Sequence, residues 1–478
     1  MTGSPKELPR IIQGGMGAAV SDWRLAKAVA LTGQLGVVSG TGIDTVFCRR
    51  LQDGDPDGHL RRAMATFPLP HATEQALRRF YRPDGRAPGE PYRLLPLQRP
   101  AMSIARQQLI MLATYVEVFL AKEGHDGLVG INLLTKIQLP TLPTLYGAIL
   151  AGVNVVIMGA GIPREIPGAL DHLARHQPAE LRFDVEGSAS DPPPQLVFVP
   201  SQHWQQPAPA VSRPDFLAIV ASNSLATMMA RKATGRVDGF VIEGPTAGGH
   251  NAPPRGELRL NPTGEPIYGE RDLVDLAKLR DLGLPFWLAG GAGHPDRLIA
   301  ARAAGAAGIQ VGTLFAFCDE SGMAEPLKRS VLEHARRGEV VVRTDPRASP
   351  TGYPFKVVDW AGNPATNRQR DRLCDLGYLR VAYRQSDGRI GFRCSSEPED
   401  AYVAKGGALE DTRGRHCLCN ELLATVGHPQ TRADGLAEPP VVTSGDDLMT
   451  IGRFLGNRTS YPASAVVSYL LGGVPRPV

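Results

Sequence analysis

The feature that most constrains the fold is an alternation of short apolar runs and helix-period segments from residue 10 to about residue 325. Near-continuous Val, Ile and Leu runs joined by helices are typical of a parallel sheet whose outer face is covered. Eight such units predict an α/β fold closed into a (β/α)8 barrel, with an open doubly wound sheet as the alternative. The GxGxxG fingerprint of the open fold is absent after the first strand. The predicted strands span residues 11–12, 35–39, 128–134, 153–158, 216–220, 237–242, 285–289 and 308–311.

Two segments interrupt this alternation. Residues 44–100 are rich in Pro, Arg and Asp, and residues 183–213 contain three consecutive prolines. Both are predicted to be loop insertions at one rim of the barrel, serving either as surface decoration or as a lid or wall of a substrate pocket. We therefore predict a barrel with insertions over residues 1–330 and a C-terminal extension over residues 331–478 that packs against it.

The bulk composition indicates an ordinary globular enzyme. Hydrophobic residues make up 42% of the chain and charged residues 21%, with a net charge of +4. No basic stripe with interleaved aromatic residues suggests nucleic acid as a partner. The N-terminus lacks the apolar core of a signal peptide, and the apolar segment at 109–121 is shorter than the roughly 20 residues of a membrane span. We expect a cytoplasmic protein that binds neither membrane nor nucleic acid.

Small residues end two consecutive strands at the same point of the repeat. Gly290 and Gly291 follow the seventh predicted strand, and Gly312 and Thr313 follow the eighth. In parallel barrels the active site lies at the carboxyl ends of the strands, and the loops after strands seven and eight often hold phosphate. Glycine lets backbone N–H groups approach phosphate oxygens, and the threonine hydroxyl can donate another hydrogen bond. The pattern predicts a phosphate site, with simple tight turns as the alternative.

Two other strands carry groups suited to a flat ring system. Gly15 and Met16 follow the first strand, where glycine permits close approach to the backbone and the sulfur offers a soft surface. Asn132 is an amide inside an otherwise apolar strand and therefore needs hydrogen-bond partners. A ring carbonyl or nitrogen would supply them, and so would a neighbouring loop.

The segment EGPTAGGH, from Glu243 to His250, follows the sixth strand. Gly249 and the glycine before it predict that His250 lies on an exposed turn at the mouth of the pocket. Histidine near neutral pH serves as a base, an acid or a charge stabiliser, so we predict that His250 is catalytic rather than structural. Glu243 and Asn251 could orient its ring. Arg255 could pair with an anionic substrate or simply face solvent.

These motifs together resemble the nitronate monooxygenase (2-nitropropane dioxygenase) family of FMN-dependent TIM-barrel enzymes. The resemblance covers about residues 9–325 and rests on GGMG after strand one, the Asn in strand three, AGGH after strand six, AGG after strand seven and QVGT after strand eight. It implies that His250 is the catalytic histidine. The residues implied to contact FMN are Gly15, Met16, Asn132, Gly249, Gly290, Gly291, Gly312 and Thr313.

The implied reaction is the oxidation of a nitronate or nitroalkane by O₂ to a carbonyl and nitrite. The same superfamily contains FMN enoyl reductases of fatty acid and polyketide synthesis, so an NAD(P)H-dependent enoyl thioester reductase is the alternative. Under that alternative, the first insertion could receive an acyl carrier protein through the arginines at positions 49, 50, 61, 62, 78 and 79. A non-catalytic barrel that binds a phosphorylated ligand and acts as a scaffold is an alternative of another class.

Both insertions, the extension and the residues after His250 depart from a typical nitronate monooxygenase. These departures affect the pocket, so they leave the substrate open more than the cofactor. The electron donor, the oligomeric state (including a homodimer) and the role of the extension are open as well.

Cysteines concentrate in the extension. Cys374, Cys394, Cys417 and Cys419 could supply thiolates to zinc or to an iron–sulfur cluster. Their spacing matches no common metal knuckle, and free buried cysteines are common in cytosolic proteins. We therefore predict no metal site, with these four cysteines as the alternative ligands.

Overall fold

Eight parallel strands form one sheet in the computed structural model, which describes residues 8–188, 193–364 and 371–472. The elements as far as the fourth barrel strand are β1 (Ile11–Gln13), α1 (Trp23–Ala30), β2 (Gly36–Ser39), α2 (Ile43–Gln52), α3 (His59–Met64), α4 (Pro70–Phe80), α5 (Ile104–Lys122), β3 (Val129–Leu134), α6 (Thr141–Leu150) and β4 (Val155–Gly159). The elements of the second half of the barrel are α7 (Ile166–Leu173), β5 (Ala179–Arg182), β6 (Val185–Glu186), β7 (Gln195–Phe198), β8 (Asp215–Val220), α8 (Asn223–Lys232), β9 (Gly239–Glu243), α9 (Leu276–Arg280), β10 (Phe286–Ala289), α10 (Pro295–Ala303) and β11 (Gly308–Val311). The remaining elements are α11 (Thr313–Ala316), α12 (Glu325–Arg336), β12 (Val340–Asp345), β13 (Phe355–Trp360), β14 (Val381–Arg384), β15 (Ile390–Arg393), α13 (Glu399–Ala404), α14 (Leu418–Thr425), α15 (Gly452–Leu455) and α16 (Ala463–Leu470).

The sheet closes on itself. Its strand order is β1-β11-β10-β9-β8-β4-β3-β2, and a parallel bridge between Ile12 and Leu35 joins its two ends. Two glutamine side chains reinforce this seam, since Gln34 Oε1 accepts from Ile11 N and Gln13 Oε1 accepts from Val37 N, both at 2.9 Å. The predicted (β/α)8 barrel is therefore confirmed, and the open sheet is wrong.

The barrel interior changes character from one end to the other. Residues two apart on a strand point to the same side, so Val241 and Glu243 of β9 both face inward. Val241 packs with inward residues of other strands in an apolar cluster inside the barrel. At the carboxyl ends of the strands this layer gives way to polar side chains, among them Asn132, Glu243 and Gln310. The barrel interior is therefore a packed apolar core at the amino ends of the strands, and it carries polar side chains at their carboxyl ends.

The first insertion, residues 44–100, contains helices that the sequence analysis did not predict. Helices α2, α3 and α4 account for much of it. Arg50 on α2 lies between Asp22 and Glu117, with N–O distances of 3.0 and 3.2 Å. Because Glu117 belongs to α5 and Asp22 caps α1, this buried charge cluster fixes the insertion to the barrel helices.

The second insertion forms short strands, which the sequence did not predict. β5 and β7 form an antiparallel pair, and β6 pairs with β14 of the extension. Part of its proline run lies in residues 189–192, outside the described residues.

The extension packs on the barrel mouth. Its strands β12 and β13 form an antiparallel hairpin, and α16 contacts α1, α10 and α11. Tyr461 donates a hydrogen bond to the carbonyl of Leu314 at 2.8 Å. The extension also contributes Phe355, Leu379 and Leu418 to an apolar cluster that includes Ile137 of the barrel.

One described helix, α5, is long and apolar enough to cross a membrane by length and composition. Of its most apolar window, 67% is buried inside the protein, where α5 contacts α1, α2 and α6. The prediction that this segment is a packed core helix is confirmed.

Candidate active site

A single cavity at the carboxyl ends of the strands is lined by every predicted cofactor residue and by His250. The predicted cofactor residues are Gly15, Met16, Asn132, Gly249, Gly290, Gly291, Gly312 and Thr313. They come from the ends of β1, β3, β9, β10 and β11, which the closed sheet brings together. Their assembly follows from the fold, and their functional roles are proposals.

One end of the cavity is built from backbone. Gly290 and Gly291 have φ values of +87° and +61°, which L side chains rarely adopt. A Cβ on Gly290 would lie 2.9 Å from Thr246 Oγ1 and 3.0 Å from the amide nitrogen of Ala247, so only glycine fits there. The amides of Gly291 and Gly312 donate to no protein acceptor within the described structure. These turns therefore present free donors to the cavity.

The extension contributes four residues to the same end, and no local sequence signal marks them: Thr443, Ser444, Gly445 and Asp447. Thr443 Oγ1 accepts from the amide of Gly249 at 2.9 Å, and the amide of Gly445 donates to Thr313 Oγ1 at 3.1 Å. Because Thr313 Oγ1 is the acceptor in the second bond, its own hydroxyl proton remains available. Asp447 accepts from the amide of Gly293 at 3.0 Å, and burial raises the pKa of its carboxyl.

The other end suits a planar ring with polar edges. Met16 lies against the Gly312 turn, where a Cβ would meet its sulfur at 3.4 Å. Asn132 donates to the carbonyl of Gly15 at 3.3 Å, and a Cβ on Gly15 would lie 2.2 Å from that of Asn132. Close approach of Asn132 thus explains the glycine at position 15. Gln310 Oε1 is buried without a hydrogen-bond partner, so this acceptor is available to a donor group of a bound ligand. The glutamine belongs to the QVGT motif but was not among the predicted site residues.

His250 does not lie on an exposed turn, because the extension covers it. Its Nε2 is 2.7 Å from Ser349 Oγ, and its ring packs edge-on against Phe355 at 5.0 Å. The backbone around it pairs with the extension, as the amide of Lys356 donates to the carbonyl of Gly249 at 2.9 Å. Burial, helped by the charge of Lys136, lowers the pKa of His250 to about 4, so the imidazole is neutral at physiological pH.

Glu243 lines the same cavity without a hydrogen-bond partner among the described residues. Its strand neighbour on β10 is Ala289, and Ile219 of β8 also faces the cavity. Burial raises the pKa of the Glu243 carboxyl to about 8. A carboxyl in this environment is protonated at neutral pH.

The outer wall of the cavity is apolar and comes largely from the extension. The ring of this wall comes from the first residue of β13, two side chains directly precede β14, and the three leucines after them lie on α14. The large side chains of this wall are Phe355, Tyr378, Leu379, Leu418, Leu422 and Leu423. Among the described residues, no Lys or Arg lines the cavity. The cation that acts on the imidazole is Lys136, which helps lower the pKa of His250 without lining the cavity.

Other predicted contributors lie elsewhere. Arg255 is exposed and donates to the carbonyls of Ala221 and Arg271, so it does not face the cavity. Asn251 donates to the carbonyl of Ala247 at 3.0 Å and not to the imidazole, which Ser349 holds instead.

Two of the six arginines named for the first insertion are buried. Arg49 is 1% exposed, and Arg50 is buried in its charge cluster. Arg61 pairs with Asp55 and Arg62 with Glu123. The arginines at positions 61, 62, 78 and 79 are exposed.

The cysteines of the extension lie close together around a small pocket. All are free thiols. Burial raises the pKa of Cys419, and a neighbouring thiol, Cys394, raises that of Cys374. In the described ranges, no group of three or more His, Cys, Asp or Glu residues is arranged to hold a metal ion. A thiolate site is thus not formed by these four side chains as they stand.

Solved structures similar to this chain are remote. FabK from Thermotoga maritima is 17% identical, with coverage of 98% of this chain and 93% of that one and a TM-score of 0.49. Nitroalkane oxidase from Streptomyces ansochromogenes is 16% identical, with coverage of 97% and 95% and a TM-score of 0.45. The enoyl reductase domain of MlnA from Bacillus amyloliquefaciens is 11% identical, with coverage of 97% and 94% and a TM-score of 0.46. Nothing about the reaction of this chain follows from these similarities.

Sequence comparison is more specific over part of the chain. A curated probable nitronate monooxygenase from Staphylococcus haemolyticus (strain JCSC1435) is 33% identical over 107 residues, which are 22% of this chain and 28% of that protein. The chain thus matches less than a third of the length of that relative. The nitronate monooxygenase family model matches residues 186–349, the stretch that holds His250 and the glycine turns. The predicted resemblance is therefore confirmed: this chain carries the sequence pattern of the nitronate monooxygenase family over those residues.

Proposed function

We propose that this protein is an FMN-dependent oxidoreductase. The observation that carries the proposal is one cavity that holds free backbone donors at one end and the unpartnered Gln310 acceptor at the other. A phosphate would be held by the amides of Gly291 and Gly312 and the hydroxyl of Thr313. The ring would lie against Met16, with its polar edge toward Gln310. A flavin bound there supplies the electron transfer that no side chain of the cavity can perform.

Within that class we propose reduction of the double bond of an enoyl thioester, with NAD(P)H as the electron donor. The absence of Lys and Arg from the described lining favours a neutral substrate over a nitronate anion. The apolar wall from the extension suits an acyl chain. His250, neutral in its buried setting, is suited to exchange a hydrogen bond with a carbonyl and not to pair with an anion.

Oxidation of a nitronate by O₂ is the second candidate. The family match over residues 186–349 favours it. Under this candidate His250 would remove a proton from a neutral nitroalkane. Its lowered pKa makes it a weak base for that task.

The test is anaerobic mixing of the purified protein, followed by flavin absorbance. We expect a yellow protein whose flavin is bleached by NADPH and recovers its colour when an enoyl thioester is added. Bleaching by a nitronate, without bleaching by NADPH, would support the second candidate instead. Protein that stays colourless after incubation with FMN, together with unchanged function in His250→Ala, would point to the non-catalytic scaffold.

A cytoplasmic location, a homodimer and an acyl carrier protein partner stay predictions.

A further inference from the structure

Glu243 occupies a position that no structural role explains. It stands at the carboxyl end of β9, and the inward orientation of Val241 two residues earlier directs its side chain into the barrel interior. There it lines the cavity, and its partner on β10 is Ala289, which can neither accept nor donate a side-chain hydrogen bond. A buried carboxyl without a hydrogen-bond partner costs stability.

The charged groups near Glu243 do not ionise it. Tyr268 is close enough for the charge of Glu243 to help raise its pKa to about 12, and its hydroxyl already donates to the carbonyl of Ala252 at 3.0 Å. His250 is neutral, with its Nε2 against Ser349. Burial alone raises the pKa of Glu243 to about 8, which is close to the range in which a general acid works best.

We infer that Glu243, and not His250, is the proton donor of the reaction carried out in this cavity. The inference rests on the proposed function. Under this inference His250 forms a hydrogen bond with the substrate, and the protonated carboxyl of Glu243 donates the proton.

With NAD(P)H as the electron donor, a flavin held in this cavity would supply two electrons, a hydride would add to the β-carbon of the enoyl thioester, and the carbon–carbon double bond would be reduced. The O–H bond of Glu243 breaks while a C–H bond forms at the α-carbon. The resulting carboxylate regains its proton from water before the next turnover.

The experiment separates the two half-reactions of the holoenzyme in Glu243→Gln. We expect NADPH to reduce the flavin of the variant at the wild-type rate. Reoxidation by the enoyl thioester should be slower by about 10²- to 10⁴-fold, the usual contribution of a general acid. In the wild type this second rate should fall as the pH rises through about 8, and the variant should lose that dependence. The matched control is Glu257→Gln, on an exposed loop, which should change neither rate.

A second readout does not depend on turnover. Infrared difference spectra of the wild type at neutral pH should contain the carbonyl band of a protonated carboxylic acid, absent from Glu243→Gln. If Glu243→Gln does not fold with flavin, Glu243→Asp keeps a carboxyl and should retain both the band and a measurable reoxidation rate.

The outcomes are distinct. A wild type that reduces enoyl thioesters, with Glu243→Gln equally fast, overturns this inference and leaves the proposed function standing. Loss of reoxidation in His250→Ala with retention in Glu243→Gln assigns the proton to the histidine and also overturns it. A wild type that reduces no enoyl thioester removes the proposed function and this inference together.

Discussion

The barrel mouth and the C-terminal extension contribute to the cavity by different means. The barrel supplies the glycine turns, such as those at Gly291 and Gly312, whose backbone amides face the cavity beside barrel side chains such as Gln310. The extension supplies side chains, including the hydroxyl of Thr443 and the ring of Phe355. Backbone donors suit a cofactor phosphate shared by many enzymes, whereas side chains shape the space for one substrate. The comparison suggests that the barrel determines the cofactor and the extension the substrate.

The two regions also depend on each other. Ser349 of the extension holds the imidazole of His250, and Thr443 holds the amide beside it. The extension itself is anchored to the first insertion, because the fully buried Arg49 donates to the carbonyl of His428 and its guanidinium lies 4.7 Å above the ring of Tyr92. The predictions below test each side of this division, beginning with the barrel.

The largest effect is expected from Gly290→Ala. The added Cβ meets Thr246 and the backbone of Ala247, which displaces the glycine turn that presents free amides. Loss of about two charge-assisted hydrogen bonds, each worth about 1.5 kcal/mol, should weaken FMN binding about 100-fold. The measurement is flavin titration by fluorescence. Gly338→Ala is the control, since its φ of +70° is equally strained and nothing lies within 4 Å of the added atom. Equal flavin affinity in both variants would contradict a cofactor role for the turn.

Arg49→Ala tests the attachment of the extension to the first insertion. The change removes a buried side chain that joins the insertion to the extension, and we expect the free energy of unfolding to fall by about 2–4 kcal/mol. Urea denaturation measures this. Arg78→Ala, on the exposed face of α4, should cost less than about 0.5 kcal/mol. A similar loss in both variants would show that the anchor is not specific.

Ser349→Ala removes the hydroxyl that orients His250 and leaves the barrel untouched. Loss of one hydrogen bond of about 1 kcal/mol should lower kcat about fivefold, with flavin affinity unchanged. Steady-state kinetics and flavin titration together check both parts. Ser201→Ala, at an exposed position, is the control. A loss of flavin without a change in kcat would show that Ser349 contributes to cofactor binding and not to the substrate reaction.

The last prediction is a pH dependence of stability at Glu243. Its folded pKa of about 8 lies above its ordinary value of 4.5, so the folded state holds a proton that the unfolded state releases. The contribution of Glu243 to the free energy of unfolding is fully present below about pH 4.5 and is lost as the pH rises toward 8. Glu243→Gln should therefore gain Tm relative to the wild type over that window, measured by thermal melts at several pH values. A constant difference across the window would show that Glu243 is ionised in the folded protein.

The barrel was predictable because its signals are local. Each strand is a short run of Val, Ile or Leu, and each site glycine follows its strand directly, so residues such as Gly312 and Thr313 could be placed from sequence. The extension was not predictable in the same way. Thr443 and Ser349 reach the cavity through contacts with residues far away in the chain, and nothing in their neighbouring sequence marks them. The exposure of His250 was misjudged for the same reason, since its cover comes from Phe355.

The seam between β1 and β2 has a consequence for how this barrel can change. A backbone ladder survives substitution, because almost every residue carries the same amide and carbonyl. Here Gln13 and Gln34 perform part of that work with side chains, which a single codon change can remove. Substitution of Gln13 or Gln34 would therefore remove side-chain hydrogen bonds from this joint, while the backbone bonds from Gln13 N to Leu35 O and from Leu35 N to Ile11 O would remain.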